Sequence, residues 1–204
     1  MPSGHAYGKS IRTVKTCVGS EHCRFGTQQS MSMGVALEKM LYGMGAPHKV
    51  KLAVSGCPRN CAEAGIKDVG VIGVDSGWEI YVAGNGGIKT EVAQFLCKLK
   101  TPEEVLEYSG AFLQLYREEG WYLERTVHYV NRVGLDTIKQ RILDDAASSG
   151  LVERVLHRAV EDLLDRFRAG VGVDPDSHAP AHKVRRNSST AAMTASRERV
   201  GYLA

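Results

Sequence analysis

Four of the five cysteines in this 204-residue chain form two close pairs, and these residues have the type and spacing best suited to chemistry. Five residues separate Cys17 from Cys23, and three separate Cys57 from Cys61. Four such thiols can bind an iron–sulfur cluster or a structural zinc ion, or can form two disulfides. The Cys17–Cys23 spacing exceeds the roughly two to four residues of zinc knuckles, and ferredoxin cysteines lie closer together. Spacing therefore favours an iron–sulfur cluster, with zinc or unrelated free or redox-active cysteines as alternatives.

The composition indicates a globular protein whose cysteines stay reduced. Hydrophobic residues make up 43% of the chain and charged residues 24%, which is ordinary for a packed domain. The first residues lack the charged and then apolar pattern of a secretory signal, so we expect a cytoplasmic protein in which disulfides are disfavoured. No apolar run approaches the length of a membrane span, and a net charge of +3 is too small to indicate nucleic acid binding.

Each cysteine pair directly follows a segment with the pattern of a β-strand. The strand predicted at 11–16 leads into the first pair, and the strand predicted at 49–54 leads into the second. Rigid strands can fix the positions of ligands that are carried by the loops after them. Gly19 and Gly56 would let the backbone curl around a cluster, because glycine adopts conformations that other residues avoid.

The remaining pattern predicts an α+β fold with a mixed β-sheet of about five strands and a helical C-terminal part. Residues 101–104 form a capping box with Pro102 at the first helical position, which is a specific signal for the start of a helix. Further strands are predicted at about 67–74, 78–82 and 92–100, and helices at about 30–42, 59–64, 102–119, 123–133, 135–147 and 151–168. We expect a loop at 1–10, one domain at 11–170 and a disordered tail at 171–204, where large apolar residues are few.

The residues around the cysteines resemble the signature of the siroheme-dependent nitrite and sulfite reductases. The two segments that carry this resemblance are Thr16 to Thr27 and Val54 to Ala64. They are most similar to the large subunits of bacterial NAD(P)H-dependent assimilatory nitrite reductases. Further matching segments lie at 68–74, 77–82, 84–87, 122–125 and 132–136. The resemblance therefore covers roughly residues 1–165 and includes both cysteine motifs with their spacing.

The resemblance implies a [4Fe–4S] cluster bound by Cys17, Cys23, Cys57 and Cys61. It also implies that Cys61 bridges the cluster to the iron of siroheme, so that electrons pass between the two cofactors through one thiolate. The implied function is transfer of electrons from the cluster to siroheme for the reduction of nitrite to ammonium. Reduction of sulfite, or a non-catalytic iron–sulfur or zinc-binding structural module, are the alternatives.

A siroheme pocket needs cationic and hydrogen-bonding groups, because siroheme carries many carboxylates. Candidates beside the cysteine motifs are Arg12, Lys15, Arg24, Arg59 and Asn60, each of which would otherwise be a solvated surface or loop residue. His22 is expected to be a polar loop residue without a ligand role. Cys97, the odd cysteine, is expected to pack as a small hydrophobic residue in its strand.

The resemblance also implies an incomplete enzyme, because members of the family are much longer than this chain. No glycine-rich dinucleotide fingerprint is present in the sequence, so FAD and NAD(P)H are expected only on other domains. A second siroheme half-domain and a small nitrite reductase subunit are expected partners, and nitrite or sulfite is the expected substrate. No membrane or nucleic acid partner is expected.

Overall fold

The structure, a computed structural model, describes residues 9–146 and contains a mixed sheet with helices packed on it. In chain order the strands are β1 (Lys15–Thr16), β2 (Leu52–Ser55), β3 (Val69–Val74), β4 (Gly77–Val82), β5 (Asn85–Gly86), β6 (Thr90–Glu91) and β7 (Gln94–Leu99). The α-helices are α1 (Gly19–His22), α2 (Ser30–Leu41), α3 (Pro102–Glu119), α4 (Thr126–Val133) and α5 (Leu135–Ala146), and Ala64–Ile66 forms a 3-10 helix.

The main sheet has five strands in the order β1-β2-β3-β4-β7, and β5 pairs with β6 in a separate ribbon. Strands β1, β2 and β3 are parallel, whereas β4 and β7 are antiparallel to their neighbours. The prediction of an α+β fold with a mixed sheet of about five strands is confirmed. In the β1–β2 pair Thr16 lies opposite Val54, so both strands end at the same edge of the sheet and both cysteine motifs begin there.

The two faces of the sheet carry different cores. Successive strand residues point to opposite faces, so Leu52 and Val54 join the large apolar cluster while Ala53 joins a smaller one. The large cluster includes fully buried side chains of the helices, such as Phe112 of α3, and burial of each such side chain stabilises the fold by roughly 1.5–3 kcal/mol. Cys17 packs against the smaller cluster. The bulk of the core is therefore separate from the cysteine motifs.

Helix α3 begins as its sequence predicts. The Thr101 hydroxyl accepts a hydrogen bond from the Glu104 amide at 3.3 Å, and the Glu104 carboxylate accepts one from the Thr101 amide at 3.1 Å. Both bonds satisfy amides that have no partner within the helix. The helix ends at Glu119, and Gly120 caps it. The capping box and Pro102 thus fix the residue at which α3 begins.

Several predicted boundaries are wrong for identifiable reasons. The predicted helix at 59–64 does not form, because Asn60 and Glu63 have positive φ angles of 56° and 60°. The helix predicted from residue 123 begins at Thr126, and Leu123 has a φ of 65°. The strand predicted at 11–16 pairs regularly only over β1, with a single bridge from Ile11 to Val50.

Some features are additional to the predictions or outside the structure. The short helix α1 between the first two cysteines was not predicted. The predicted strand at 92–100 is confirmed as β7. The predicted helix at 151–168, the predicted tail at 171–204 and most of the predicted loop at 1–10 lie outside the described residues. None of the helices described within 9–146 has the length and apolar character needed to cross a membrane.

Candidate metal centre

The two cysteine motifs are joined directly by hydrogen bonds to and from Gly56. Its amide donates to the Cys17 sulfur at 3.1 Å. Its carbonyl oxygen accepts from the amides of Thr27 and Gln28 at 2.8 and 3.0 Å, and from the Thr27 hydroxyl at 2.9 Å. The segment that closes the first motif is therefore bonded to the start of the second. The sequence places these motifs far apart, and the fold makes them one site.

Glycines permit this contact between the two loops. Gly19 has a φ of +61°, and a Cβ atom there would lie 2.6 Å from the Ser30 amide nitrogen. A Cβ atom at Gly56 would lie 2.8 Å from the Cα of Gly19. The predicted conformational freedom is confirmed at Gly19, whereas at Gly56 the requirement is close approach of two backbones. A side chain at either position would force the motifs apart.

The four cysteines of the motifs are free thiols with different exposure. Cys57 is buried, Cys17 and Cys23 are partly buried, and Cys61 is exposed. Among the residues that the structure describes, no group of three or more His, Cys, Asp or Glu is arranged to hold a single metal ion. Ligands of a cluster stand farther apart than ligands of one ion, because irons and sulfides lie between them. The four-cysteine ligand set stays a prediction.

The environment of Cys17 favours its ionised form. Burial by itself raises the pKa of this thiol, but hydrogen bonds from the Ser30 hydroxyl and from the amides of Gly56 and Gly19 outweigh that effect, and the net pKa is lowered. The thiolate is the form that binds metal. The lowered pKa of Cys17 therefore favours the form of the side chain that can bind a metal.

Arg24 and Arg59, one from each motif, lie over the same aromatic ring. The guanidinium carbon of Arg24 is 4.5 Å from the centre of the Phe25 ring, and that of Arg59 is 3.8 Å from it. Phe25 itself is 43% exposed, so its ring lies at the surface with the two guanidinium groups. The structure thus brings together two of the predicted carboxylate-binding residues. Sequence reasoning missed Phe25, and its position directly after Cys23 and Arg24 in the first motif was the available signal.

Asn60 supports the turn that carries the second cysteine pair. Its side-chain oxygen accepts hydrogen bonds from the Gly65 amide and the Ser55 hydroxyl, each at 3.2 Å. The Ser55 hydroxyl in turn accepts from the Ala62 amide at 3.2 Å. These bonds hold a segment whose backbone does not form the predicted helix. The observed contacts of Asn60 are structural, and its cofactor-binding role stays a prediction.

Arg12 and Lys15 lie together beside several lysines. They line a basic cleft of about 370 Å³, whose other lining residues are Thr13, Lys49, Lys51, Leu52 and Lys67. No cysteine lines this cleft. Lys15 and Lys67 each approach the Glu63 carboxylate at 3.0 Å, and these two amines lower the pKa of Glu63. Lys15 is thus paired with a residue two positions after Cys61, and the cofactor-binding role of Arg12 and Lys15 stays a prediction.

The sequence assigns no ligand role to His22 or Cys97. His22 is exposed and lies at the end of α1, not in the expected loop, and its lack of a ligand role stays a prediction. Cys97 lies in β7 and packs against the large core cluster. Burial raises the pKa of Cys97 to about 11, which makes it an unreactive thiol. Its packing agrees with the expected role as a small hydrophobic residue.

Comparison with known families decides where this fold belongs. Residues 7–149 match the family described as the nitrite and sulphite reductase 4Fe-4S domain. The chain belongs to this family. The family resemblance that the cysteine motifs predict is therefore confirmed, and the family description itself includes a four-iron, four-sulfur cluster.

Two nitrite reductases to which the chain is similar are much longer proteins. The chain is 63% identical over 145 residues to the NAD(P)H nitrite reductase of Bacillus subtilis, covering 71% of this chain and 18% of that protein. It is 43% identical over 162 residues to the large subunit of the NAD(P)H nitrite reductase of Klebsiella oxytoca, covering 78% and 17%. The chain thus spans less than a fifth of either relative.

A solved structure supports the same fold. The NirA protein of Mycobacterium tuberculosis superimposes with a TM-score of 0.61 at 19% sequence identity, covering 70% of this chain and 28% of that one. At this level of identity the likeness concerns the fold alone. It supports the arrangement of the sheet and helices described above.

Proposed function

We propose that this chain is the iron–sulfur portion of a siroheme-dependent nitrite reductase. The observation that carries the proposal is the junction of the two cysteine motifs at Gly56, in a chain that matches the family over residues 7–149. The two relatives described above are both named NAD(P)H nitrite reductases, which favours nitrite over sulfite as the substrate of the complete enzyme.

The residues present fit a [4Fe–4S] cluster held by Cys17, Cys23, Cys57 and Cys61. Iron–sulfur clusters are bound by four thiolates, and these four side chains are free thiols on two loops that touch. The lowered pKa of Cys17 favours the thiolate. The backbones of the two loops approach closely at Gly19 and Gly56, which brings the two cysteine pairs to one site.

A siroheme shared with Cys61 also fits the surface of the site. Cys61 is the exposed member of the four, so its sulfur is accessible to a second cofactor on the outside of the cluster. Arg24 and Arg59 are exposed at the same surface, where their guanidinium groups would pair with siroheme carboxylates. When bound, the two cofactors supply the electrons and the iron centre for reduction of nitrite to ammonium.

The side chains and backbone of this domain position these groups. Gly56 and Ser30 hold the Cys17 sulfur through hydrogen bonds, and Asn60 fixes the turn between Cys57 and Cys61. Phe25 limits the movement of the two guanidinium groups. FAD, NAD(P)H, the other half of the siroheme pocket and a small subunit belong to other parts of a cytoplasmic enzyme in this proposal.

Loading the full 204-residue chain with its cofactors tests the proposal. The chain is purified anaerobically, supplied with iron, sulfide and siroheme, and analysed for iron, acid-labile sulfide, zinc and siroheme. We expect the iron and sulfide stoichiometry of a [4Fe–4S] cluster, siroheme absorption, and electron paramagnetic resonance signals showing that the two cofactors interact.

Variants of two cysteines provide a matched comparison. Cys61→Ala should abolish the interaction between cluster and siroheme, because it removes the shared sulfur. Cys97→Ala should leave the signals unchanged, because Cys97 packs in the core away from the motifs. Zinc in place of iron and sulfide, or an interaction signal that survives Cys61→Ala, would contradict the proposal.

A further inference from the structure

Ser30 contacts Cys17 at the junction of the two cysteine motifs. Its hydroxyl oxygen lies 3.2 Å from the Cys17 sulfur, and it donates a hydrogen bond to the Cys17 carbonyl oxygen at 2.8 Å. Ser30 is fully buried, with 0% of its surface exposed. Solvent therefore does not compete for the hydroxyl proton. From the sequence this residue predicted only the start of a helix; in the structure Gln29 is the N-cap and Ser30 is the first helical residue.

The hydroxyl cannot easily turn away from Cys17. Ser30 is the first residue of α2, a helix anchored in the large core by Met33 and Leu37. On its other side is Gly19, where a Cβ atom would lie only 2.7 Å from the Ser30 hydroxyl oxygen. The side chain is thus held between a packed helix and the backbone of the first motif.

The donor of the hydrogen bond between the Cys17 sulfur and the Ser30 hydroxyl depends on whether Cys17 is a thiol or a metal-bound thiolate. A neutral thiol can donate to the Ser30 oxygen, whereas a thiolate can only accept. The Cys17 sulfur already accepts from the Gly56 amide at 3.1 Å. When Cys17 binds iron as a thiolate, the Ser30 hydroxyl becomes a second donor to that sulfur, turning from the carbonyl oxygen 2.8 Å away.

We infer that Ser30 raises the reduction potential of the cluster by donating this hydrogen bond to the Cys17 sulfur. Reduction adds one electron to the cluster, and the added negative charge is shared by the thiolate sulfurs. A donor to one of those sulfurs stabilises the reduced state more than the oxidised state. Ser30 is therefore a positioning residue that tunes electron transfer. The inference rests on the proposed cluster and its ligand Cys17.

A redox titration of the cluster-loaded full chain tests the inference. Iron and sulfide are incorporated anaerobically, dithionite supplies the electrons, and the reduced cluster is measured by electron paramagnetic resonance. Ser30→Ala should shift the midpoint potential to more negative values. Ser32→Ala is the matched control, because Ser32 is an exposed serine on the same helix whose hydroxyl bonds the Gln29 carbonyl oxygen. Its potential should equal that of the unmodified chain.

Two further variants keep the test decisive if Ser30→Ala holds no cluster. Ser30→Thr retains a hydroxyl donor and should keep the potential near that of the unmodified chain. Ser30→Cys has a weaker donor and should give a more negative potential than Ser30→Thr. Equal potentials for these two, or an unchanged potential in a cluster-loaded Ser30→Ala protein, would overturn the inference. Failure of the unmodified chain to bind any cluster would instead overturn the proposed function.

Discussion

Phe25 links the two cysteine motifs at the scale of single residues. Its ring contacts Arg24 of the first motif and Arg59 of the second, at 4.5 and 3.8 Å from the ring centre to each guanidinium carbon. A cation held against an exposed ring gains roughly 0.5–1 kcal/mol and loses part of its freedom to move. The arrangement gives the domain two oriented guanidinium groups without burying either charge.

The siroheme proposal predicts a specific effect of removing one of these charges. Replacement of Arg59 by Gln should weaken siroheme binding by roughly ten- to a hundredfold, because a hydrogen bond to a charged group contributes about 1.5–3 kcal/mol. The iron and sulfide content should not change, since no thiolate is altered. Titration of the cluster-loaded chain with siroheme measures the affinity.

Lys89→Gln is the control for this titration. Lys89 is exposed and pairs with Glu91 in the β5–β6 ribbon, so its replacement removes one positive charge outside the cysteine motifs. Its siroheme affinity should match that of the unmodified chain. Equal losses in both variants would indicate a general effect of net charge, and no role for Arg59.

Protonation of His48 should make the folded chain less stable at lower pH. Burial, followed by the nearby charge of Arg125, lowers its pKa from the ordinary value of 6.5. Its Nδ1 atom accepts a hydrogen bond from the Lys49 amide at 2.7 Å, which requires that nitrogen to be unprotonated. The folded state therefore binds the proton less readily than the unfolded state does.

The folded chain should accordingly lose stability as the pH falls below about 6.5, and the loss should end below the lowered pKa of His48. His48→Gln should be less sensitive to pH over this interval, because it cannot take up the proton. Urea unfolding of the full chain at several pH values between about 7 and 5 measures this. A variant with the same pH dependence as the unmodified chain would show that other groups are responsible.

At the scale of elements, a buried carboxylate joins two strands to a helix. Asp68 is only 1% exposed and precedes β3. Its carboxylate accepts a hydrogen bond from the Lys51 amide at 2.9 Å and one from the Thr126 hydroxyl at the start of α4. The Arg125 guanidinium donates to both carboxylate oxygens at 3.0 Å. Helix α4 is thereby fixed to the edge of the sheet opposite the cysteine motifs.

Removal of the charge partner should destabilise this junction strongly. Arg125→Ala leaves the Asp68 carboxylate buried without its cation, and the expected loss is about 3–5 kcal/mol of unfolding free energy. Lys89→Ala removes an exposed ion pair and should cost much less than Arg125→Ala. Urea unfolding of both variants checks the difference. A similar small loss for both would mean that solvent compensates the Asp68 charge.

Elements with strong local signals were predictable from the sequence, and those fixed by distant contacts were not. Helix α3 has its own capping box and glycine stop, which act within a few residues. The segment at 59–64 has residues that can form a helix, but Asn60 bonds Ser55 and Gly65 and holds a left-handed backbone. Local propensity is outweighed there by bonds that only the folded turn provides.

In the candidate site, too, some residues could be predicted from the sequence and others could not. The cysteine spacing and flanking residues predicted the motifs, and the strand pattern before each pair predicted that strands would position them. Ser30 and Phe25 were missed because their contacts join residues of different loops or elements, such as Ser30 with Cys17 and Phe25 with Arg59. No periodicity or spacing in the chain encodes such a contact. It follows from the close approach of backbones at Gly19 and Gly56.

At the scale of the whole molecule, the core and the proposed cluster site are separate stabilising units. The large apolar cluster draws on the sheet and on helices α2 to α5, whereas Cys17 packs against a smaller cluster on the other face. The loops around the cysteines expose apolar residues, including Val18 and Phe25. Segments with exposed apolar residues and few core contacts open more readily than the core does.

Removal of iron should therefore loosen the loops and leave the core folded. After chelation of iron from the cluster-loaded chain, we expect faster amide hydrogen exchange in residues 17–28 and 56–66, with unchanged exchange in α3. The far-ultraviolet circular dichroism should change little, because most helix and strand residues lie outside these loops. Cys97→Ala, which alters no proposed ligand, should give the same pattern. Faster exchange throughout α3 would show instead that the cluster is required for the core, as in domains that unfold without their metal.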